Sequence, residues 1–403
     1  MAKERWNRRT MESKNDDIVY AMTPFKLLMW PVGGWPLQVY NVYSLMRCVT
    51  VICGISIAMT LPSIEIYLGC TDAAQNVEAL MIMSCGLLCI IKMIWFRIYA
   101  NNLIKIYKCA TNDYLTIENA EQRAIMLRHA FIGRTLMCTI ISIIVFDCLM
   151  YSLMPILHLL RKNQINETHE DVEFKYIIPS RCTFEYLNIS KNMYIFNHIM
   201  ELIIMFFMIP GNYGNDSLFL HMALHICGQV KILKSKVINL DLAGPQIQNR
   251  FNALIHRHCH LMEMTKMLAE ASSFILLIQL FLSSLLLCIL GFLFIIALKD
   301  NDSEMTTKSF VAINGFLVQV MLYCVIGDYL KSQMEEVGAF IYQSAWYNLP
   351  AKLMKNLTLL IMRSQFPVQL QAGNFIVVNL QTYMSILKTS ISYLSVLRVM
   401  VEK

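Results

Sequence analysis

Four polar side chains near the end of the chain, Gln381, Ser385, Thr389 and Ser392, recur at steps of four, four and three. At 3.6 residues per turn they share one face of a helix. Continued outward, that face runs to Val396 and then to Val399 or Met400, so the polar stripe ends in an apolar collar. Such a stripe can line a water path, and a ring of apolar side chains can close it by dewetting. The same residue types also bond across to neighbouring membrane helices or back to their own carbonyls, and the stripe alone fits either use. His256, His258, Cys259 and His260 crowd together, and on a helix His256 and His260 share a face. No matching ligand pair is visible elsewhere in the sequence, so no metal is expected. Asp147 and Glu201 stand inside apolar runs. An ionisable group there is expensive and serves either as a ligand anchor or in a structural pair. The sequence offers no paired carboxylates, nucleophile elbow or phosphate loop, which argues against an enzyme and against a cofactor.

The stripe lies in Phe375 to Met400, a run long enough to cross a bilayer as a helix. With 403 residues, 56% of them hydrophobic, the chain has more apolar side chains than a globular core of this size uses. The fold class expected is therefore all-α, a polytopic membrane protein. Further spans are predicted at Leu45 to Tyr67, Ala79 to Phe96, Leu136 to Leu160, Tyr194 to Gly214, Phe274 to Leu298 and Phe310 to Leu330, making seven. The second carries Lys92 near its end, placed to snorkel. Pro210 and Gly211 break the fourth, whose helical pattern runs on to about Ile238. Ahead of the first span, Pro24, Pro31, Gly33, Gly34 and Pro36 punctuate the chain, with Trp30 and Trp35 read as interface anchors. The charged start has no apolar core, so no signal peptide is expected. The thirteen cysteines are scattered, mostly in apolar runs, and suggest neither a disulfide framework nor zinc spacing.

With the N-terminus cytosolic, the four inner segments hold 22 Lys plus Arg and the four outer ones 9. The positive-inside bias favours that orientation, which puts the C-terminus of a seven-span protein outside. The glycosylation sequons at Asn166, Asn188 and Asn301 fall in predicted outer loops, although those at Asn215 and Asn356 do not. The predicted organisation is a cytosolic N-terminal segment (1–41), six spans with a ligand pocket in their outer half (42–330), a cytosolic anchor segment (331–372) and a last, pore-lining span (373–403).

An inside N-terminus is the reverse of a G-protein-coupled receptor, and the corresponding signatures are missing near the third and seventh spans. The C-terminal third instead carries Tyr323-Cys324, Gly327-Asp328 and Leu330, then Ala339 to Tyr342 leading to Trp346-Tyr347. Met362 to Gln365 with Pro367, Ala372-Gly373 with Phe375, and Ser390, Ser392, Tyr393 and Leu397 follow. In order and spacing these resemble the insect odorant receptor family, and Tyr20, Pro24 and the 30–36 segment resemble the start of its hymenopteran type. The resemblance implies an odorant-gated, non-selective cation channel in the plasma membrane. It would be a tetramer whose subunits each lend the seventh helix to a central pore. The gate falls, by the register of Tyr393 and Leu397, on Val396 and Met400. The anchor corresponds to about 215–268 and 327–372, including an amphipathic run from Ala351 to Ser364 that Pro350 is suited to start.

The same resemblance implies an odorant pocket among helices two, three, four and six. Its candidates are Met83, Phe146, Tyr151, Met193, Phe196, Met200 and Phe316, aromatic and Met walls suited to a small apolar volatile. Such residues in a bundle also serve as ordinary packing. The expected partners are an odorant coreceptor subunit in a heteromeric tetramer, the ligand and membrane lipid, with no nucleic acid. The loop of about 40 residues between spans four and five fits an odorant-tuned subunit rather than the coreceptor. Lys388 borders the stripe, where four copies facing a cation path would raise a barrier; a subunit boundary or a partner without that charge would remove the conflict. Gustatory receptors share the fold and Thr382-Tyr383, but Thr389-Ser390 stands where they carry Gln-Phe. A secondary transporter would predict paired half-sequences, and no internal repeat is found.

Overall fold

A computed structural model describes residues 2–69, 71–117, 119–164, 178, 180–186, 193–239 and 246–401, with side chains at all of these except 2–12, 73, 151, 154–164, 194 and 397–401. The helices are α1 (Ala2–Met29), α2 (Val42–Leu68), α3 (Ala73–Ile98), α4 (Ala100–Thr116), α5 (Ala120–Gln164) and α6 (Arg181–Tyr186). They continue with α7 (Tyr194–Ile209), α8 (Asn215–Ile238), α9 (Ile247–Lys299), α10 (Ser303–Gln343), α11 (Ala351–Ser364) and α12 (Leu380–Val401). A small antiparallel hairpin, β1 (Gln371–Ala372) and β2 (Ile376–Val377), precedes α12.

Among the described residues, six helical stretches are long and apolar enough to cross a membrane: Val42–Leu68, Ala74–Ile98, Ala120–Met150, Ile195–Ile238, Ile247–Lys299 and Ser303–Gln343. The seventh is α12, whose 22 residues reach about 33 Å at ~1.5 Å per residue, matching a hydrocarbon core of about 30 Å. The expected seventh span began at Phe375. The structure starts the helix at Leu380 because the residues before it are folded into the hairpin. Several spans are far longer than their apolar runs: α9 has 53 residues and α10 has 41, or about 80 and about 60 Å. Both are therefore much longer than a hydrocarbon core is thick and run on past their apolar stretches as unbroken helices.

The helices pack around α8, where every residue from Asn215 to Val230 is buried, so the helix is enclosed by α5, α9 and α10. Onto this bundle α11 lays Leu353, Leu357, Leu360 and Ser364, a stripe at helical spacing. It starts as expected after Pro350, whose carbonyl accepts from the amides of Leu353 at 2.8 Å and Met354 at 3.1 Å. Close packing of α10 on α11 requires Gly338, where a Cβ would lie 2.3 Å from Ser364 Oγ. A second support is polar. Asp113 of α4 accepts from Arg257 of α9 at 2.6 Å and lies 3.1 Å from His225 Nε2 of α8, tying three helices at a buried point.

The N-terminal region departs from expectation. Pro24 does not punctuate: α1 runs through it to Met29 and docks on α5 through the Asp17–Arg123 pair, 2.6 Å apart. The guanidinium of Arg134, 4.0 Å above the Tyr20 ring, donates to the Tyr20 carbonyl. The turn that follows is built around Gly33 at φ +68°, where a Cβ would lie 2.2 Å from the Ser44 carbonyl oxygen. Arg97 of α3 donates to the carbonyls of Gly33 and Val39 and so closes that turn. Trp35, read as an interface residue, is buried edge-on against Tyr107 at 5.1 Å, whereas Trp30 is exposed beneath Arg47. Cys182 is disulfide-bonded, a bridge that the scattered cysteine spacing does not announce.

Candidate ligand cavity and pore helix

Pro210 and Gly211 do not end the fourth span. They form a π-helical turn over Pro210–Gly214 that joins α7 to α8 without loss of continuity. The extra residue of such a turn re-aims the side chains on either side of it. Here it presents Asn212 and Tyr213 to a cavity of about 170 Å³. The other walls come from Ile55, Ala58 and Met59 of α2, Met81, Ile82, Cys85 and Gly86 of α3, and Ile144, Asp147 and Cys148 of α5. Ile204, Met205, Met208 and Ile209 of α7, Ala312, Gly315 and Phe316 of α10, and Ile178 complete it. Gly86 lets α2 and α3 close on each other, since a Cβ there would lie 2.8 Å from Met59 Sδ. The wall is overwhelmingly apolar with a few polar groups, the composition of a small-molecule site.

Of the seven residues expected in the pocket, Phe316 lines this cavity. The expected helices α3, α5, α7 and α10 all contribute to its wall, together with α2. Phe146, Met193, Phe196 and Met200 are exposed on the outside of the bundle. Met83 faces α2, where Ser63 donates to its sulfur at 3.2 Å, while its neighbours Met81, Ile82 and Cys85 take the wall. The Tyr151 side chain is outside the described residues. Sequence reasoning missed Asn212 and Tyr213, whose signal was the polar pair inside Pro210-Gly-Asn-Tyr-Gly214, an odd composition for mid-span.

Asp147 and Glu201 separate into two roles. Glu201 is buried and accepts from Asn197 at 2.7 Å, one turn earlier on α7. Asp147 faces the cavity, and a Cβ on Gly315 across from it would be 3.7 Å from its Oδ2. Beneath, a smaller cavity shares Ile144, Tyr213 and Gly315 with the first and reaches Asp216 and Gln319. Lys92, expected to snorkel, is instead fully buried and pairs with Asp216 at 2.7 Å. Gln319 donates to Asp216 at 2.8 Å, and Gln279 donates to both Gln319 and Ser283 at 3.0 Å. The chain of contacts thus runs from α3 through α8 and α10 to α9.

Helix α12 packs on α9 and α10. Leu394 sits on Gly291, where a Cβ would lie 3.3 Å from its Cδ2. Its start is fixed by motif residues. Asp328 accepts from the Leu380 amide at 2.8 Å, and Asn379 accepts from that of Thr382 at 2.8 Å. Gly327 allows the preceding strand to lie close, since a Cβ there would meet the Val378 carbonyl oxygen at 2.1 Å. The hairpin tip turns through Gly373 at φ +62°, whose amide donates to Ser273 of α9. The opposite face of α12 is bare: Gln381, Ser385, Lys388, Thr389, Ser392 and Val396 are all exposed, whereas Ser390 behind them is buried. The Met400 side chain is outside the described residues.

The remaining candidates are dispersed. His258 is buried, Cys259 is exposed and His260 Nε2 lies 2.9 Å from Cys109 Sγ, so the histidine cluster points in different directions. Asn301 is exposed at φ 52° in the turn between α9 and α10. Asn166 and Asn188 lie outside the described residues, and Asn215 is buried.

A family model described as 7tm Odorant receptor matches residues 72–391. Odorant receptor 13a of Drosophila melanogaster is 24% identical over 296 residues, covering 69% of this chain and 68% of that protein. Odorant receptor 47a of the same organism is 25% identical over 229 residues, covering 55% and 58%. Among solved structures, the insect olfactory receptor OR5 from Machilis hrabei superposes with a TM-score of 0.78 at 17% identity, over 93% of this chain and 97% of that one. The same receptor in complex with eugenol gives 0.77 at 16% identity, over 95% and 100%. Seven membrane helices, a family model that matches most of the chain and the shared fold lead to one conclusion: the chain belongs to the insect odorant receptor family, multi-pass proteins of the plasma membrane that serve the perception of smell.

Proposed function

We propose that this chain is an odorant-tuned subunit of a ligand-gated, non-selective cation channel that works as a heteromeric tetramer with a coreceptor. The observation that carries the reading is the bare face of α12. Gln381, Ser385, Thr389 and Ser392 make no use of their polarity inside the subunit, while the reverse face is packed. A polar stripe exposed along a membrane helix is costly against lipid and useful against water. Four subunits facing a common axis would turn it into a water path, closed outward by Val396 and Met400. The cavity beside Phe316 and Asp147 is the odorant site in this reading. Its volume is of the order of the ~150 Å³ apolar cavity known to accept benzene.

The orientation follows the charge bias, with the N-terminus in the cytosol. The disulfide at Cys182 supports it, since that segment then faces the oxidising exterior. Asn301, on the same side, is the glycosylation candidate among the described residues, with Asn166 and Asn188 proposed from sequence.

The test is whole-cell current during application of ring-sized volatiles, from cells expressing this chain with and without a coreceptor. Odorant-gated cation current that requires both chains is the expected outcome. Current from this chain alone would make it a homomeric channel and force Lys388 out of the permeation path. Surface-expressed protein silent to every volatile, with or without the coreceptor, would overturn the reading.

A further inference from the structure

The cavity is apolar in area but one-sided in its polar chemistry. Asn212 is 6% exposed, and its amide nitrogen donates to the Cys85 carbonyl at 3.1 Å. That bond fixes which end of the amide is which, because only the NH₂ group can donate to a carbonyl. The Oδ1 atom is left buried, without a hydrogen-bond partner. Asp147, also lining the cavity and half-buried, has no ion pair or hydrogen bond among the described residues, and shares the wall with Ile144, Cys148, Gly315 and Phe316. The structure therefore places two acceptors with nothing to accept from in one small apolar space. Tyr213 adds a hydroxyl that can give or take and does not reverse that balance.

Resting on the reading of this cavity as the odorant site, we propose that it selects volatiles carrying a hydrogen-bond donor, alcohols and phenols, with Asp147 and Asn212 Oδ1 as the acceptors. Ethers, esters and hydrocarbons of the same shape are disfavoured. The physical reason is an asymmetry. An apolar wall gains about the same from any ligand of a given shape, so shape alone discriminates weakly. A ligand that covers these acceptors and leaves them unpaired is penalised, because their desolvation is then uncompensated. Whether Asp147 is ionised or protonated, at least one of its oxygens remains an acceptor. A donor on the ligand satisfies what the protein itself leaves open.

The test compares three probes of one ring size, 4-methylphenol, p-xylene and 4-methylanisole, for equilibrium binding to membranes holding the full chain together with its coreceptor. The expected result is a half-saturating concentration for 4-methylphenol at least about tenfold below those of the other two. Asp147→Leu and Asn212→Leu should each shrink that ratio, while p-xylene binding stays within about threefold of wild type and so reports an intact cavity. Asp147→Asn keeps an acceptor and adds a donor, so it should improve 4-methylanisole relative to wild type. Equal binding of all three probes by the wild type overturns the donor rule and leaves the odorant reading standing. An undiminished ratio in both Leu variants also overturns it. Saturable binding of none of the three removes the cavity as the ligand site and the proposal with it.

Discussion

Lys92 has no exposed atom, and Asp216 at 2.7 Å is what makes its charge tolerable in the middle of the bundle. Removing one member strands the other, which typically costs about 3–5 kcal/mol, whereas replacing both by apolar residues is far milder. Lys92→Met should therefore lower the thermal midpoint of the solubilised receptor sharply, and Lys92→Met with Asp216→Leu should recover much of the loss. Equal losses in the single and double variants would mean that the pair is not the source. Asp113, on α4 and outside the membrane-spanning stretches, is a different case. Burial alone would push its carboxyl up, but the bonds from His225 and Arg257 overcome that and hold it below the usual carboxylate range. A depressed pKa in the folded state means stabilisation that is present above the ordinary carboxylate value and lost as pH falls through the lower folded one. Between about pH 5 and pH 8 Asp113 should thus add no pH dependence to unfolding. Asp113→Asn should destabilise across that whole range, read in the same thermal assay.

At the scale of elements, α12 depends on a short stretch of α10. Gly327→Ala would drive a methyl into the Val378 carbonyl and Asp328→Ala would remove the acceptor at the Leu380 amide. The loss of such a cap costs about 1 kcal/mol, while the glycine change displaces the start of the helix itself. Gly327→Ala should abolish odorant-gated current, and Asp328→Ala should reduce it, at comparable surface expression. At the other end of α12, Val396→Ser puts a hydroxyl in the collar, and current without odorant should rise. These predictions concern motif residues, which are also the part of the site most legible in the sequence. Gly327, Asp328, Ser364 and Gly373 stand out because backbone approaches and helix starts admit few residue types. The cavity was far less legible. Phe146 and Asp147 are neighbours in the chain, yet one faces outward and the other inward. In a span apolar all round, hydropathy has no period from which to read phase, and a π-helical turn shifts that phase again. The hairpin before α12 escaped notice because two-residue strands leave no alternation to detect.

For the whole molecule, number and order of spans were readable because the bilayer fixes a minimum apolar length. How far each helix continues was not, because the parts of α9 and α10 beyond their apolar runs are held by packing on other helices, α8 and α11 among them, rather than by their own composition. The result is that apolar and polar stretches of α9 and α10 are joined in uninterrupted rods of about 60 to 80 Å. The orientation makes its own prediction: a membrane-impermeant reductant applied from outside should reach the Cys182 disulfide in intact cells, and labelling of the freed thiol would detect it. Protection from the outside with labelling only after permeabilisation would reverse the topology.

The π-helical turn at Pro210–Gly214 carries a consequence for how receptors of this build can diverge. Because α8 is enclosed on every side, it cannot rotate, so any change of length in that turn must be taken up by α7. Losing one residue would turn α7 by about 100° and draw it down by about 1.5 Å. Each wall position would then receive the residue one place earlier in the chain, with Ile203 and Phe207 entering where Ile204 and Met208 had stood. A single deletion would repaper one side of the cavity at once and leave the bundle around α8 untouched. Ligand preference in this architecture can therefore change by length as well as by substitution, in a step no series of point replacements would pass through.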